Sequence, residues 1–153
     1  MKKLLIMLMM IIPLTSPSQN TNYNIKITKS LQELICSYLK ENGCRYEIFN
    51  DNLMKFKYQG AQFVMLTDEE DPYYLQIIMP NVYEVDRNRR FVLEAINTIM
   101  KERKVLKAHI EKNRVWLSIE MFIDTTPEIN IFFERCINIL YQGRQLLYDE
   151  IAE

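Results

Sequence analysis

His109 is the chain's one histidine, and Lys107 and Glu111 flank it at alternate positions. On a strand this spacing puts an imidazole, an amine and a carboxylate on one face. Those are the groups of acid-base chemistry, yet no second histidine completes a metal set and no serine sits in a nucleophile-elbow motif. The pattern reads instead as a half-exposed strand histidine stacked on Trp116. Four acids cluster in TDEED, residues 67–71. A calcium loop spaces its oxygen ligands at alternate positions around a central glycine. Here the acids are consecutive and no glycine follows, so a solvated turn is expected. DRNRR, residues 86–90, places Arg87, Arg89 and Arg90 where a helix begins. Arginines there oppose the helix dipole, so the cluster is a candidate contact for an anion or an acidic partner. Asp86 and Glu84 offset it, and surface ion pairing is the simpler reading. No catalytic residue, metal ligand or cofactor motif emerges, and the pattern is that of a binding protein rather than an enzyme.

The three cysteines, Cys36, Cys44 and Cys136, are an odd number, which rules out a fully paired framework within the chain. Cys136 lies on the apolar stripe of a long helix. Cys36 and Cys44 are near in sequence and could pair if their Cα atoms come within about 7 Å.

The elements that must position these groups follow from periodicity. Lys2 and Lys3, then an apolar run over residues 4–12, then Ser16 and Ser18 before Gln19 have the three-part order of a secretory signal peptide. The run is shorter than the roughly 20 residues that span a bilayer. Residues 1–18 are therefore expected to be a cleaved address, residues 19–27 a linker and residues 28–153 a single domain. Cleavage would take the formal charge from −1 to −3 by removing two lysines. Either value is too balanced to imply nucleic acid or an anionic membrane as partner. The expected location is the periplasm or outside the cell, with no stable membrane insertion once the peptide is removed. A chain left uncleaved would place the protein in the cytoplasm.

Leu31, Leu34, Ile35, Tyr38 and Leu39 have helical spacing, with Ser30 and Glu33 resembling a capping box and Gly43 as terminator. Short strands follow at residues 45–49, 53–58, 61–67 and 73–79, the last stopped by Pro80. A second helix, ending near Lys104, carries an apolar arc (Phe91, Val92, Ala95, Ile96, Ile99, Met100) wide enough to pack on the sheet and on a further element. A hairpin across Lys112-Asn113 pairs Ile110 with Val115, Ala108 with Leu117 and Leu106 with Ile119 on one face. His109 with Trp116, Lys107 with Ser118 and Glu111 with Arg114 form the other face. Thr125-Thr126-Pro127-Glu128 opens the last helix, whose stripe contains Gly143; a glycine there costs about 1 kcal/mol against alanine, which makes sense if another backbone or a bulky ring packs close.

The expected fold is α+β, an antiparallel sheet in the order α-β-β-β(-β)-α-β-β-α with helices mainly on one face. Trp116 and Phe122 fall on the face opposite the core. An exposed tryptophan there calls for cover, by a helix of the same chain, a second subunit or a bound peptide.

The segments LQELICSYLKENGCRYE, EAINTIMKERKVLKAHIEKNRVWLSIEMFID and TTPEINIFFERCINILYQG resemble the type III secretion chaperone-like fold, in particular the YbjN-type sensory transduction regulators. The likeness runs over about residues 28–151 and lies in apolar patterning rather than an invariant signature. It implies a small, often homodimeric domain that binds protein or peptide without chemistry of its own. The signal-like N-terminus departs from that cytoplasmic pattern. The leading expectation is a non-enzymatic, chaperone-like binder of polypeptides. The competing expectation is a small-ligand sensor or an enzyme with a site in the sheet's concavity, which a closed pocket with converging polar groups would favour.

Overall fold

A computed structural model describes residues 21–71, 73–86, 88–123 and 128–152; residues 1–20, where the signal peptide is expected, Arg87 and residues 124–127 lie outside the described residues. The fold is α+β: three helices, α1 (Thr21–Glu41), α2 (Arg89–Glu102) and α3 (Ile129–Ala152), and one six-stranded antiparallel sheet. The strands are β1 (Tyr46–Asn50), β2 (Leu53–Tyr58), β3 (Ala61–Thr67), β4 (Tyr74–Glu84), β5 (Leu106–Glu111) and β6 (Arg114–Phe122). They lie in the order β1-β2-β3-β4-β6-β5. Four strands form a meander, α2 carries the chain to the far edge, and β6 returns between β5 and β4.

The core lies between the helices and one sheet face. Met54, Phe56, Phe63, Met65, Leu75, Ile77, Leu117 and Ile119 alternate inward and are almost fully buried. From the helices come Ile35, Leu39, Ile96, Ile99, Phe133, Ile137, Leu140 and Leu147. The wide apolar arc of α2 is explained by two neighbours, α3 and β5. The β5–β6 register is the one read from the sequence in all six pairs, from Leu106↔Ile119 to Glu111↔Arg114. Strict alternation enforces it, because a one-residue slip would turn three apolar residues per strand to water.

Three local expectations are corrected. First, α1 starts at Thr21, so residues 21–27 are helix rather than linker and Ser30 is interior rather than a cap. Nothing in that stretch forces a stop, since glycine and proline are absent from residues 21–41. Its other end is as read: Gly43 has φ +67°, and the Cys44 N–H donates to the Leu39 carbonyl at 2.8 Å, closing a Schellman-type cap. Second, Pro80 does not end β4. The strand continues to Glu84 through a register shift between Met79 and Tyr83, with Asn81 at φ +55° absorbing the irregularity. Third, neither a backbone nor a ring fills the space over Gly143. A Cβ there would lie 2.5 Å from Leu106 Cδ2, so the missing side chain lets α3 settle onto β5.

All three cysteines are free. The Cys36 thiol lies 4.0 Å from the Met54 sulfur, while Cys44 Sγ donates to the Asn42 carbonyl at 3.5 Å. Burial pushes the Cys136 thiol up to about 11, against a smaller downward pull from Arg135. It also raises Cys36, with the Glu33 carboxylate adding to the effect. The thiolate is the reactive form. A thiol reagent at pH 8 is therefore expected to titrate one cysteine rapidly in the native protein, Cys44, and all three after denaturation. Rapid reaction of two or three native thiols would contradict this packing.

Candidate functional site

The strand residues that point away from the helices build an open sheet face. It carries Val64 and Leu66 from β3, Tyr74, Gln76 and Ile78 from β4, Trp116, Ser118, Glu120 and Phe122 from β6, and Lys107, His109 and Glu111 from β5. The described helices α1, α2 and α3 pack on the other face, and none covers this one.

The face is structured rather than bare. Ile78 and Ser118, directly paired, are 6% and 1% exposed although no helix lies over them. Longer side chains close over this pair: Gln76 Nε2 donates to Glu120 Oε1 at 2.9 Å, and Lys107 Nζ is ion-paired to Glu120 Oε2. Burial raises the Tyr74 hydroxyl above its ordinary range, and the Glu120 charge adds to it. At one end Arg114 Nη2 meets Glu84 at 3.1 Å. Such exposed pairs contribute at most about 1 kcal/mol each and mainly set orientation.

Trp116 is half-buried, its ring 6.1 Å from that of His109 and tilted 44° to it. The indole Nε1 is shielded from solvent and has no hydrogen-bond partner. A buried unmade donor costs roughly 1–3 kcal/mol. At the other end Phe122 is 74% exposed, touched edge-on by Tyr74 at 6.0 Å between centroids. Six residues along a strand separate the two aromatics by about 20 Å. His109, Trp116 and Phe122 are thus brought onto one surface, as the alternation predicts.

The arginines are not part of it. Arg89 and Arg90 stand exposed in the first turn of α2, within the helix layer. Arg90 Nε pairs with Glu94 at 3.0 Å, an i,i+4 surface pair. Arg87, the third candidate, lies outside the described residues. The TDEED acids make a turn: Asp68 accepts from the Glu70 N–H at 2.8 Å, Glu69 from Asn52 Nδ2 at 2.9 Å and Asp71 from the Tyr73 N–H at 3.2 Å. Among the described residues no three His, Cys, Asp or Glu side chains gather as a cation would require.

One polar cluster is not visible in sequence. Tyr38 on α1, Tyr58 on β2 and Glu134 on α3 meet beneath the sheet. Both hydroxyls donate to Glu134 Oε1, that of Tyr38 at 2.5 Å, and lie 3.2 Å from each other. Burial pushes the Tyr58 hydroxyl well above its usual range, reinforced by its bond to the Glu134 carboxylate. Tyr38 is raised for the same two reasons, in the same order. Tyr141 extends this polar layer by donating to the Tyr58 and Gln59 carbonyls at 2.9 and 3.0 Å. Glu134 is 96 and 76 residues from the two tyrosines in the chain. The only local sign is that both tyrosines interrupt apolar stripes, where a buried hydroxyl needs an acceptor. The cluster ties α1, β2 and α3 together and faces no described cavity.

Of the described cavities, one of about 740 Å³ lies between the end of β4, the start of α2 and the end of α3, lined by Tyr83, Asp86, Asn88, Phe91, Val92 and Ile151. It opens to solvent and does not include the open face. No described helix is long and apolar enough to cross a membrane.

No known family model matches the chain, and no curated protein matches it. The chain is similar to the crystal structure of an uncharacterized protein from Methanothermobacter thermautotrophicus. The TM-score is 0.57 at 15% identity, over 79% of this chain and 96% of that one. At that identity the likeness extends to the fold alone.

Proposed function

We propose that this protein is a non-enzymatic, chaperone-like binder that holds an extended or partly unfolded polypeptide on its open sheet face. It would act as a homodimer, outside the cytoplasm once residues 1–18 are removed. The observation that carries the reading is the uncovered face itself. Trp116 lies there with an unpartnered indole N–H beside His109, Tyr74 and Phe122 supply a second aromatic pair, and charges of both signs rim the surface. A polypeptide offers apolar side chains for the rings. Export is supported by the N-terminal pattern, and the homodimer by the resemblance to YbjN-type proteins. The same resemblance supports the chaperone-like label. The sensor-or-enzyme alternative has weaker support: a cavity of about 330 Å³ beside β1 and β2 is lined by Arg45, Glu47, Lys55 and Lys57, but it lies open to solvent and is not the closed pocket such a reading calls for.

Trp116→Ala is expected to weaken binding of an unfolded model polypeptide about thirtyfold or more, the effect of losing a central aromatic anchor. The melting temperature should move little, because the ring is only half-buried. Light scattering of an aggregating client and equilibrium binding both report it. A variant that loses stability yet keeps wild-type binding would make Trp116 a core residue and overturn the reading.

A further inference from the structure

The two edges of the sheet differ. The outer strand β5 shows water Lys107, His109 and Glu111, the charges that blunt a free edge. Strand β1 instead exposes Tyr46, Ile48 and Phe49, at 38%, 52% and 48%. It has neither a proline nor a lysine. The Lys57 N–H donates to the Arg45 carbonyl at 2.9 Å, and Tyr46 stands opposite Phe56. In an antiparallel ladder bonding alternates, so residues 45 and 47 bond to β2 while the N–H and C=O of Tyr46 and Ile48 point away from the sheet.

We infer that β1 pairs antiparallel with β1 of a second copy, about a twofold axis through Tyr46, joining the two six-stranded sheets edge to edge. The inference rests on the homodimer reading and names its surface. Charge selects the register. With the axis at Tyr46, Arg45 of each copy faces Glu47 of the other, twice, in the close non-hydrogen-bonded positions about 4.5 Å apart at Cα. An axis at Glu47 would oppose two glutamates, and an axis at Ile48 would set Glu47 against Phe49. Arg45 has reason to seek a carboxylate. It stands across from Lys57, and no ion pair among the described residues includes Arg45 or Glu47. In the same register the outward groups of Tyr46 bond to their own counterparts, and the Ile48 N–H reaches the Cys44 carbonyl of the second copy. The Cys44 N–H is already committed to Leu39. Tyr46 and Ile48, on the helix side, bury each other.

The test is the mass of the full chain, as produced and processed, across a micromolar concentration series by sedimentation or light scattering. The wild type is expected to dimerise. Arg45→Glu and Glu47→Arg should each weaken the dimer about tenfold or more, and the double reversal should restore it. Circular dichroism checks that each variant is folded. In a Cys44→Ser background, Tyr46→Cys should cross-link under mild oxidation, since paired Cα atoms about 5.5 Å apart suit a disulfide, whereas Glu47→Cys should not. A monomer at every concentration overturns both the dimer and this surface. A dimer indifferent to the charge reversals, or one that cross-links at 47 and not at 46, overturns the surface or its register and leaves the homodimer standing.

Discussion

Phe133→Ala is expected to lower the unfolding free energy by about 3–5 kcal/mol, the usual range for truncating a buried phenylalanine. Phe133 is 0% exposed. Its ring lies 5.2 Å from that of Tyr38, 5.3 Å from Tyr58 and 5.6 Å from Phe56, so one side chain joins α3 to α1 and β2. Three aromatic contacts lose their common partner at once, and rigid ring neighbours collapse poorly into the space left. A domain of this size has only about 5–15 kcal/mol in total, so the variant should be near the limit of folding at 37 °C. Urea unfolding followed by circular dichroism measures it. A loss under about 1 kcal/mol would mean that the aromatic hub is not packed as described.

The second large effect is electrostatic. Tyr58→Phe removes one of the two hydroxyls that donate to Glu134, and hydrogen bonds to a charged group contribute about 1.5–3 kcal/mol. A pH signature should accompany the loss. The folded state raises the Tyr58 pKa, through burial first and the Glu134 bond second, so the fold favours the protonated phenol. Its stabilisation is fully present below the unfolded value, about 10, and is lost as pH rises above it. Wild type should therefore lose stability steeply above pH 10, and Tyr58→Phe should lose less over the same interval. Tyr38 is raised in the same direction and leaves a residual slope in the variant. Parallel alkaline profiles for the two proteins would contradict the shared-carboxylate geometry.

Much of the fold was legible because the chain is patterned by nearest neighbours. The β5–β6 hairpin could be written pair by pair, since alternation and a two-residue turn at Lys112 and Asn113, both at positive φ, admit one register. The bounds of β2 and β3 followed from their turns in the same way. Misreadings arose where tertiary context outweighs a local signal. Ser30 with Glu33 has the form of a capping box yet lies inside α1, and Pro80 reads as a strand terminator but is accommodated by a bulge. The open face was legible as a set of residues, because Trp116 and Phe122 share parity along β6 and His109 pairs across from Trp116. Helices mainly on one face were expected too, but whether one of the three would still cover Trp116 was left open, since the sequence does not say on which side a given connecting helix packs. The Tyr38–Tyr58–Glu134 cluster joins three elements far apart in the chain, and no spacing rule reaches that far. Pairing along β1 needs the free edge and its hydrogen-bond phase, which only the sheet order supplies.

Trp116 is the chain's one tryptophan, and it stands on the surface proposed to bind. Its fluorescence therefore tests the central claim directly. The protein would be titrated with a tryptophan-free, permanently unfolded polypeptide while emission is recorded. Polypeptide binding on the open face predicts a saturable blue shift, as the exposed part of the half-buried indole is covered, and Phe122→Ala should weaken it. An emission spectrum unchanged through the titration, with the polypeptide shown to bind by an independent measure or not to bind at all, would contradict it.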